Sequence, residues 1–426
     1  MNIQPRLHTI LNKTLSPPIC EHGYNLRIEQ YRGLCALLVF IYHATIYEYL
    51  AVDHYSFPIF VHYFGAGGLS VLVFFCISGY VIGINHDSRS LDAKDYLKKR
   101  LIRLYPIYIF AMLLCLAVSV KTSWATFLGN LFFLQNDYPY IRFTVPNFVN
   151  FSTWSLNYEV LYYLLFIPLF YLRPKLWKLL SCMLFISILL VYCNNSIVIF
   201  ANYLDGYYFW ILGLIIGWSA FRSEKRINKP VPLLSLMFLQ ICQHHLGLGE
   251  IILHTIGINS PTRINWLFDL PFCLMVLCIL TGRDNSFLRF NKILCYILPV
   301  FVFVYLLLHH RLTEDVRWIM CLIYWALSLL FYFETKISGF IMGKLTAVGK
   351  ISYAIYLLHV PVGMLIKKTV FIQNQTVEVI VKYALWFTLT FALSYLLERV
   401  MQPAIKHFFF PKPAMQLKLK QRVSIR

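Results

Sequence analysis

Arg32 and His43 stand eleven residues apart, separated by an apolar stretch that begins at Gly33. On a helix this spacing is three turns plus about 20°, so both side chains share one face, about 16 Å apart along the axis. That distance is half the hydrocarbon thickness of a bilayer, which places Arg32 at the interface when His43 is near the midplane. A cation at the surface and a titratable imidazole in the middle suit a long ligand with an anionic head, the imidazole serving as proton acceptor. The plain alternatives are an interfacial anchor for Arg32 and a hydrogen-bonded packing residue for His43. Ionisable groups inside a membrane are costly and usually functional, which keeps the first reading in play.

Other residues could join that chemistry. Arg100 and Arg103 are i,i+3 neighbours fit to hold phosphates, although basic inner loops are expected in any membrane protein. Trp154-Ser155-Leu156-Asn157-Tyr158-Glu159 opens another apolar stretch. Ser155 and Glu159 face the same way, and a carboxylate at that depth needs an Arg, a protonated His or a substrate hydroxyl as partner. Ser352-Tyr353-Ala354-Ile355-Tyr356-Leu357-Leu358-His359 repeats the pattern, Ser352 and His359 sharing a face seven residues apart. Such Tyr and His residues also often serve only as hydrogen bridges between helices. In Phe74-Phe75-Cys76-Ile77-Ser78-Gly79-Tyr80 the small residues read as a close-packing point. Glu398-Arg399 followed by Pro403 reads as a helix stop at the inner surface. The eleven cysteines, mostly within apolar stretches (Cys35, Cys76, Cys115, Cys182, Cys273, Cys278, Cys321), include no CxxC pair. They read as small core hydrophobes, and no metal site is expected.

The elements that position these residues are membrane helices. The 426 residues are 59% hydrophobic, 17% aromatic and only 13% charged, with a mean hydropathy of +0.64. Soluble domains are about half apolar and a quarter charged. Twelve apolar segments are legible, at roughly 33–52, 64–85, 104–120, 153–172, 177–193, 206–221, 231–243, 265–282, 293–310, 316–333, 351–366 and 379–400. Because some are short, the expected fold is an all-α bundle of ten to twelve spans. The formal charge of +19 is spread among short loops, which points to membrane orientation and anionic lipid rather than nucleic acid. With the N-terminus inside, 30 of the 38 Lys and Arg fall on the inner side and eight outside, predicting an even span count and two cytoplasmic termini.

The expected organisation is a cytoplasmic segment 1–30, a membrane domain 31–405 and a basic tail 406–426, whose residues 411–426 lie along the inner leaflet. The first 30 residues, with Pro5, Pro17 and Pro18, do not read as a cleavable signal peptide. The longest outer connection, about 121–152, carries Tyr138, Pro139, Tyr140, Pro146 and Asn147, and reads either as a lid over an outward-facing cavity or as a surface loop. Sequon-like tripeptides at Asn150 and Asn374 carry no weight, since short motifs arise by chance.

In order and spacing these motifs resemble the acyltransferase 3 family of membrane enzymes, which includes O-antigen and exopolysaccharide O-acetylases. The matched elements are Arg32-Gly33…His43, Phe74-Phe75…Ser78-Gly79-Tyr80, Arg100…Arg103…Pro106, Trp154-Ser155-Leu156…Glu159, Ile351-Ser352-Tyr353…Tyr356-Leu357…His359 and Glu398…Pro403, spanning about residues 24–405. The resemblance implies a bacterial inner-membrane O-acyltransferase. It has no tightly bound cofactor, and acetyl-CoA or another acyl-CoA is its cytoplasmic co-substrate. The acceptor is a hydroxyl of a surface polysaccharide or lipid-linked oligosaccharide. It implies Arg32, Arg100 and Arg103 at the nucleotide head and His43 as general base, with Glu159 either orienting it or stabilising its imidazolium. Trp154, Ser155, Ser352, Tyr353 and His359 are then acceptor-site or structural residues. Direct transfer and a transient acyl-His43 both stay open. The competing expectation is a secondary transporter or flippase for a lipid-linked glycan. Such proteins tend to carry internal repeats, and none is legible here.

Overall fold

The computed structural model describes residues 25–46, 50, 59–86, 90–119, 122–136, 144–191, 198–219, 231–258 and 262–410. Pro5, Pro17, Pro18, the basic tail 411–426, and Tyr138, Pro139 and Tyr140 lie outside the described residues. Twelve apolar helices form the bundle: α1 (Leu26–Ile46), α2 (Gly67–Asn85), α3 (Ala93–Val118), α4 (Trp154–Leu172), α5 (Leu176–Val191), α6 (Val198–Ser219), α7 (Leu233–Leu246), α8 (Leu270–Thr281), α9 (Ser286–Leu308), α10 (Val316–Leu330), α11 (Ser352–Thr369) and α12 (Gln375–Tyr395). Among the described residues, eight stretches are long and apolar enough to cross a membrane. A ninth is formed if Lys336–Gly349 and α11, bent by 74°, make one span. With α1 and the shorter α5 and α10, they correspond one by one to the twelve apolar segments of the sequence.

Solvent exposure separates core from rim. The spans containing α2 and α6 are each 72% buried, whereas that of α9 is 33% buried. Phe185, Leu189, Phe290, Phe301 and Leu308 stand exposed on α5 and α9, a surface that water would penalise and lipid accepts. At the centre α2 and α6 meet backbone to backbone. A Cβ on Gly79 would lie 1.9 Å from the Trp210 carbonyl oxygen, and one on Gly213 would lie 1.9 Å from that of Cys76. Only glycine fits at either position, which is the close packing expected at Ser78-Gly79. The nine described cysteines are free; eight are buried, and Cys182 is exposed.

Prolines inside helices free the carbonyl four residues earlier, and in lipid that carbonyl needs another donor. Three of these carbonyls receive side-chain amides. Ile102, before Pro106, accepts from Gln402 Nε2 at 2.7 Å. Cys295, before Pro299, accepts from Gln243 Nε2 at 3.1 Å. Leu357, before Pro361, accepts from Asn150 Nδ2 at 2.8 Å. Each break in a helix is therefore also a tie to a distant segment.

Some boundaries differ from the sequence reading. The helix stop expected at Pro403 does not occur. The chain passes from α12 through a π-helical turn, Leu396–Met401, into the helix Gln402–Phe409. Pro403 sits in the first turn of that last helix, where its missing N–H costs little. The expected limits at 30/31 and 405/406 thus fall inside helices.

Candidate active site

The site is built from the start of α1. Asn25 Oδ1 accepts from the backbone N–H of Arg27 at 2.9 Å and of Ile28 at 3.3 Å, capping the helix and satisfying orphan donors. Glu29 and Arg32 follow one turn later, paired at 3.0 Å. Gly33 then lets the helix Lys336–Gly349 cross closely, since a Cβ there would lie 2.3 Å from the Leu345 carbonyl oxygen. That approach brings the start of α11 within reach, and Arg32 Nη2 donates to Ser352 Oγ at 3.2 Å.

On α3 the Asp92 side chain accepts from the N–H groups of Lys94 and Asp95, so the helix begins at Ala93 and not at residue 104. Arg100 and Arg103 are therefore helical, one turn apart, and both face the same cavity. Arg103 Nη1 donates to Glu398 Oε2 at 2.9 Å, and its guanidinium lies 5.6 Å from the centre of the Tyr353 ring. Glu398 is buried in the π-helical turn, a partner for Arg103 and not a surface stop. The Arg100 guanidinium lies 5.5 Å from both the Tyr96 and Tyr163 rings, and its buried Nε has no hydrogen-bond partner among the described residues.

The cavity between α1, α2, α3, α4, α11 and the π-helical turn has a volume of about 450 Å³. Five cationic side chains line it (Arg32, Arg100, Arg103, Lys350 and Arg399) against three carboxylates, Glu29, Glu159 and Glu398. Guanidinium groups with fixed orientation and unmet donors suit an anionic, phosphate-bearing head. Ser155, Ser352 and Tyr353 also line it, and so does Ser78, whose hydroxyl donates to Glu159 Oε1 at 2.9 Å. Tyr163 donates to the same oxygen.

At the inner end stands Tyr356. Its hydroxyl donates to the Ser152 carbonyl and lies 2.7 Å from Ser155 Oγ. Beyond it, and not lining the cavity, are two buried histidines. His43 Nδ1 lies 2.6 Å from His359 Nε2, with the rings parallel to within 6° and their centres 4.9 Å apart. The tautomers follow from the next contact. His359 Nδ1 lies 3.1 Å from the Ile355 carbonyl oxygen, which can only accept. That nitrogen therefore carries the hydrogen, so the Nε2 of a neutral His359 is an acceptor. His43 Nδ1 must then be the donor, and the basic lone pair of the His43 ring sits on Nε2. Trp386 Nε1 donates to the His359 carbonyl at 2.6 Å, and Phe40 stacks on Trp386 at 3.8 Å, holding α1, α11 and α12 together behind the pair.

The described part of connection 121–152 is anchored in the bundle by buried Asn130, Phe133, Gln135, Phe148 and Asn150, while Trp124, Leu128, Phe132 and Leu134 stay exposed. It contains the helix Trp124–Leu131 and a parallel bridge between Gln135–Asn136 and Val145–Pro146. The buried Asn130 ties the Thr126 and Pro146 carbonyls, the Phe148 N–H and the Tyr108 hydroxyl. Phe151 ends the connection edge-on to His43, with ring centres 5.1 Å apart.

A family model described as an acyltransferase domain matches residues 25–399, a range that holds both the cavity and the histidine pair. The chain belongs to the acyltransferase 3 family. It is a multi-pass membrane protein. It is also similar to "Exopolysaccharide production protein ExoZ" of Rhizobium meliloti (strain 1021), with 29% identity over 125 residues. That match covers 28% of this chain and 38% of the relative, so the chain spans well under two thirds of that relative's length. No solved structure matches.

Within this family member, Arg32, Arg100, Arg103, Ser155, Glu159, Ser352 and Tyr353 meet at one cavity, whereas His43, His359 and Trp154 do not line it. Glu159 is held by Ser78 and Tyr163 inside the cavity, and the side chain bonded to His43 is His359. Glu29, Lys350 and Tyr163 were not singled out from the sequence, whereas Tyr356 stood in the Ser352–His359 motif and Arg399 in the expected helix stop. Glu29 was within reach of the sequence reading, one turn before Arg32.

Proposed function

We propose that the protein moves an acyl group, most simply acetyl, from cytoplasmic acyl-CoA to a hydroxyl of an extracytoplasmic or lipid-linked sugar, such as an O-antigen or exopolysaccharide unit. The observation that carries this reading is the basic cavity at the Arg32 end of α1 and the paired histidines about 16 Å along the same helix. The head of the donor sits among Arg32, Arg100 and Arg103, and its pantetheine arm runs towards Tyr356. The acyl group reaches His43 once the Tyr356 side chain swings off Ser152 and Ser155.

His43 Nε2 takes the proton of the acceptor hydroxyl while that oxygen attacks the thioester carbonyl. The carbon–sulfur bond then breaks, and the CoA sulfur leaves with the proton returned from His43. The ester and free CoA are the products. His359 keeps the His43 lone pair on Nε2 throughout, because its own Nδ1–H is committed to Ile355. The relative's role in exopolysaccharide production supports a glycan acceptor, and the inward bias of Lys and Arg supports cytoplasmic termini and a cytoplasmic donor.

The test is transfer by protein purified into lipid nanodiscs. General-base work contributes about 10²–10⁴-fold. His43→Gln is therefore expected to lose at least about a hundredfold in turnover while still binding acetyl-CoA. Near-normal turnover in that variant places the base elsewhere, and glycan flux without CoA release replaces transfer by transport.

A further inference from the structure

A second cavity, of about 110 Å³, lies at the other end of the bundle and is lined by Gln243, His244, Glu250, Asn265, Trp266 and Asp269 among others. Helix α2 connects the two. Gly68, Leu69 and Leu72 near its start face the second cavity, and residues from Val71 to Val81 face the first. Their chemistry is opposite. No Lys or Arg lines the second cavity, whereas five line the first.

We propose that this second cavity is the acceptor subsite and holds the edge of one neutral sugar ring. The assignment rests on the glycan reading above and names the residues that recognise the sugar. Carboxylates and side-chain amides accept hydrogen bonds from sugar hydroxyls, and an indole covers the C–H face of the ring. The Asp269 carboxylate has no hydrogen-bond donor among the described residues, so its oxygens are available to hydroxyls. The volume is below the 300–1,000 Å³ or so of sites that enclose a whole small molecule. The rest of the glycan therefore stays outside. A bare cation is a poorer fit, because among the described residues no three His, Cys, Asp or Glu side chains converge as a metal site.

Two short routes join this cavity to the histidine pair. The Tyr42 ring, next to His43 in sequence, lies edge-on to His244 with centres 5.2 Å apart. Phe151 touches His43, and three residues on Trp154 lies 5.6 Å from Trp266. The Arg263 guanidinium, 4.3 Å from the Trp154 ring and 4.6 Å from the Trp266 ring, fixes both indoles. By either route two side chains, His244 and Tyr42 or Trp154 and Phe151, stand between a sugar held at this cavity and His43.

The experiment measures saturation-transfer binding of the methyl glycosides of glucose, galactose, mannose and N-acetylglucosamine to the protein in nanodiscs, with acetyl-CoA binding measured in parallel. At least one glycoside is expected to bind. Trp266→Ala and Asp269→Asn should each weaken it tenfold or more without changing acetyl-CoA affinity, and Trp266→Phe should recover most of the loss. Arg32→Ala should leave glycoside binding intact. The assignment is overturned if none of the four binds, if the binding glycoside is indifferent to Trp266→Ala and Asp269→Asn, or if Ca²⁺ occupies the site and no glycoside displaces it. Failure of acetyl-CoA to bind, with the glycoside pattern as expected, would instead refute the donor reading alone.

Discussion

Replacing His359 tests the tautomer argument more sharply than replacing His43. His359 Nε2 accepts from His43 Nδ1–H at 2.6 Å, both rings being buried. His359→Ala leaves that N–H without its acceptor, at a cost of about 1–3 kcal/mol. His43 escapes the cost by moving its hydrogen to Nε2 or by turning its ring, and either change removes the base from the acceptor. With about 1.4 kcal/mol per tenfold, the productive form falls about 5- to 150-fold. Single-turnover transfer at saturating acetyl-CoA should slow by that factor, with donor affinity unchanged. Two isosteric variants separate positioning from packing. In His359→Gln the amide oxygen replaces Nε2 as acceptor, and most of the rate should return. In His359→Asn the amide replaces Nδ1 instead, keeping the contact to Ile355 but offering nothing to His43, and the rate should resemble that of the alanine variant. Equal rates for Gln and Asn, or a wild-type rate for Ala, would refute the reasoning.

Arg32→Ala should weaken acetyl-CoA binding, measured at matched protein level, with little change in melting temperature, because its partners Glu29 and Ser352 both line the cavity. Arg103→Ala should weaken binding and also destabilise the fold, since it strands Glu398, whose side chain is 1% exposed. Breaking a fully buried pair costs about 3–5 kcal/mol, and less is expected here with Arg103 39% exposed. Arg103→Ala combined with Glu398→Gln should recover the melting temperature but not the affinity; recovery of both would remove Arg103 from the donor site. Gly213→Ala should abolish folded yield in detergent, given a Cβ 1.9 Å from the Cys76 carbonyl oxygen; a normal yield would mean α2 and α6 can separate. Tags at both ends should be inaccessible from outside intact cells, and an accessible C-terminal tag would overturn the even span count.

The bundle was legible because its signal is local. Runs of apolar residues need only lipid, and the expected segments match helices one by one. The shared face of Arg32 and His43 was legible for the same reason, since one helix fixes both. The partner of His43 was not. Choosing between Glu159 and His359 requires the relative rotation of α1, α4 and α11, which is set by the Gly33 crossing and the proline break at Pro361. A weaker sign was present: Ser352 and His359 share a face, and they meet Arg32 and His43 in the same order along α1. Glu398 was misread because a charge before a proline normally marks a helix end. Here the π-helical turn points it inward, as such turns often do at functional sites.

The basic cavity and the histidine pair share one further property. The cavity takes seventeen of its lining residues from 25–163 and six from 350–399, and the histidine pair takes one from each. During synthesis the N-terminal half enters the membrane long before α11 exists, so His43 waits without its acceptor and the arginines without Ser352 and Glu398. A chain cut short before about residue 350 lacks both the far wall of the cavity and His359. On the proposed roles, premature termination yields an inert protein and not a leaky thioesterase. The last fifth of the chain then acts as the checkpoint on when chemistry begins.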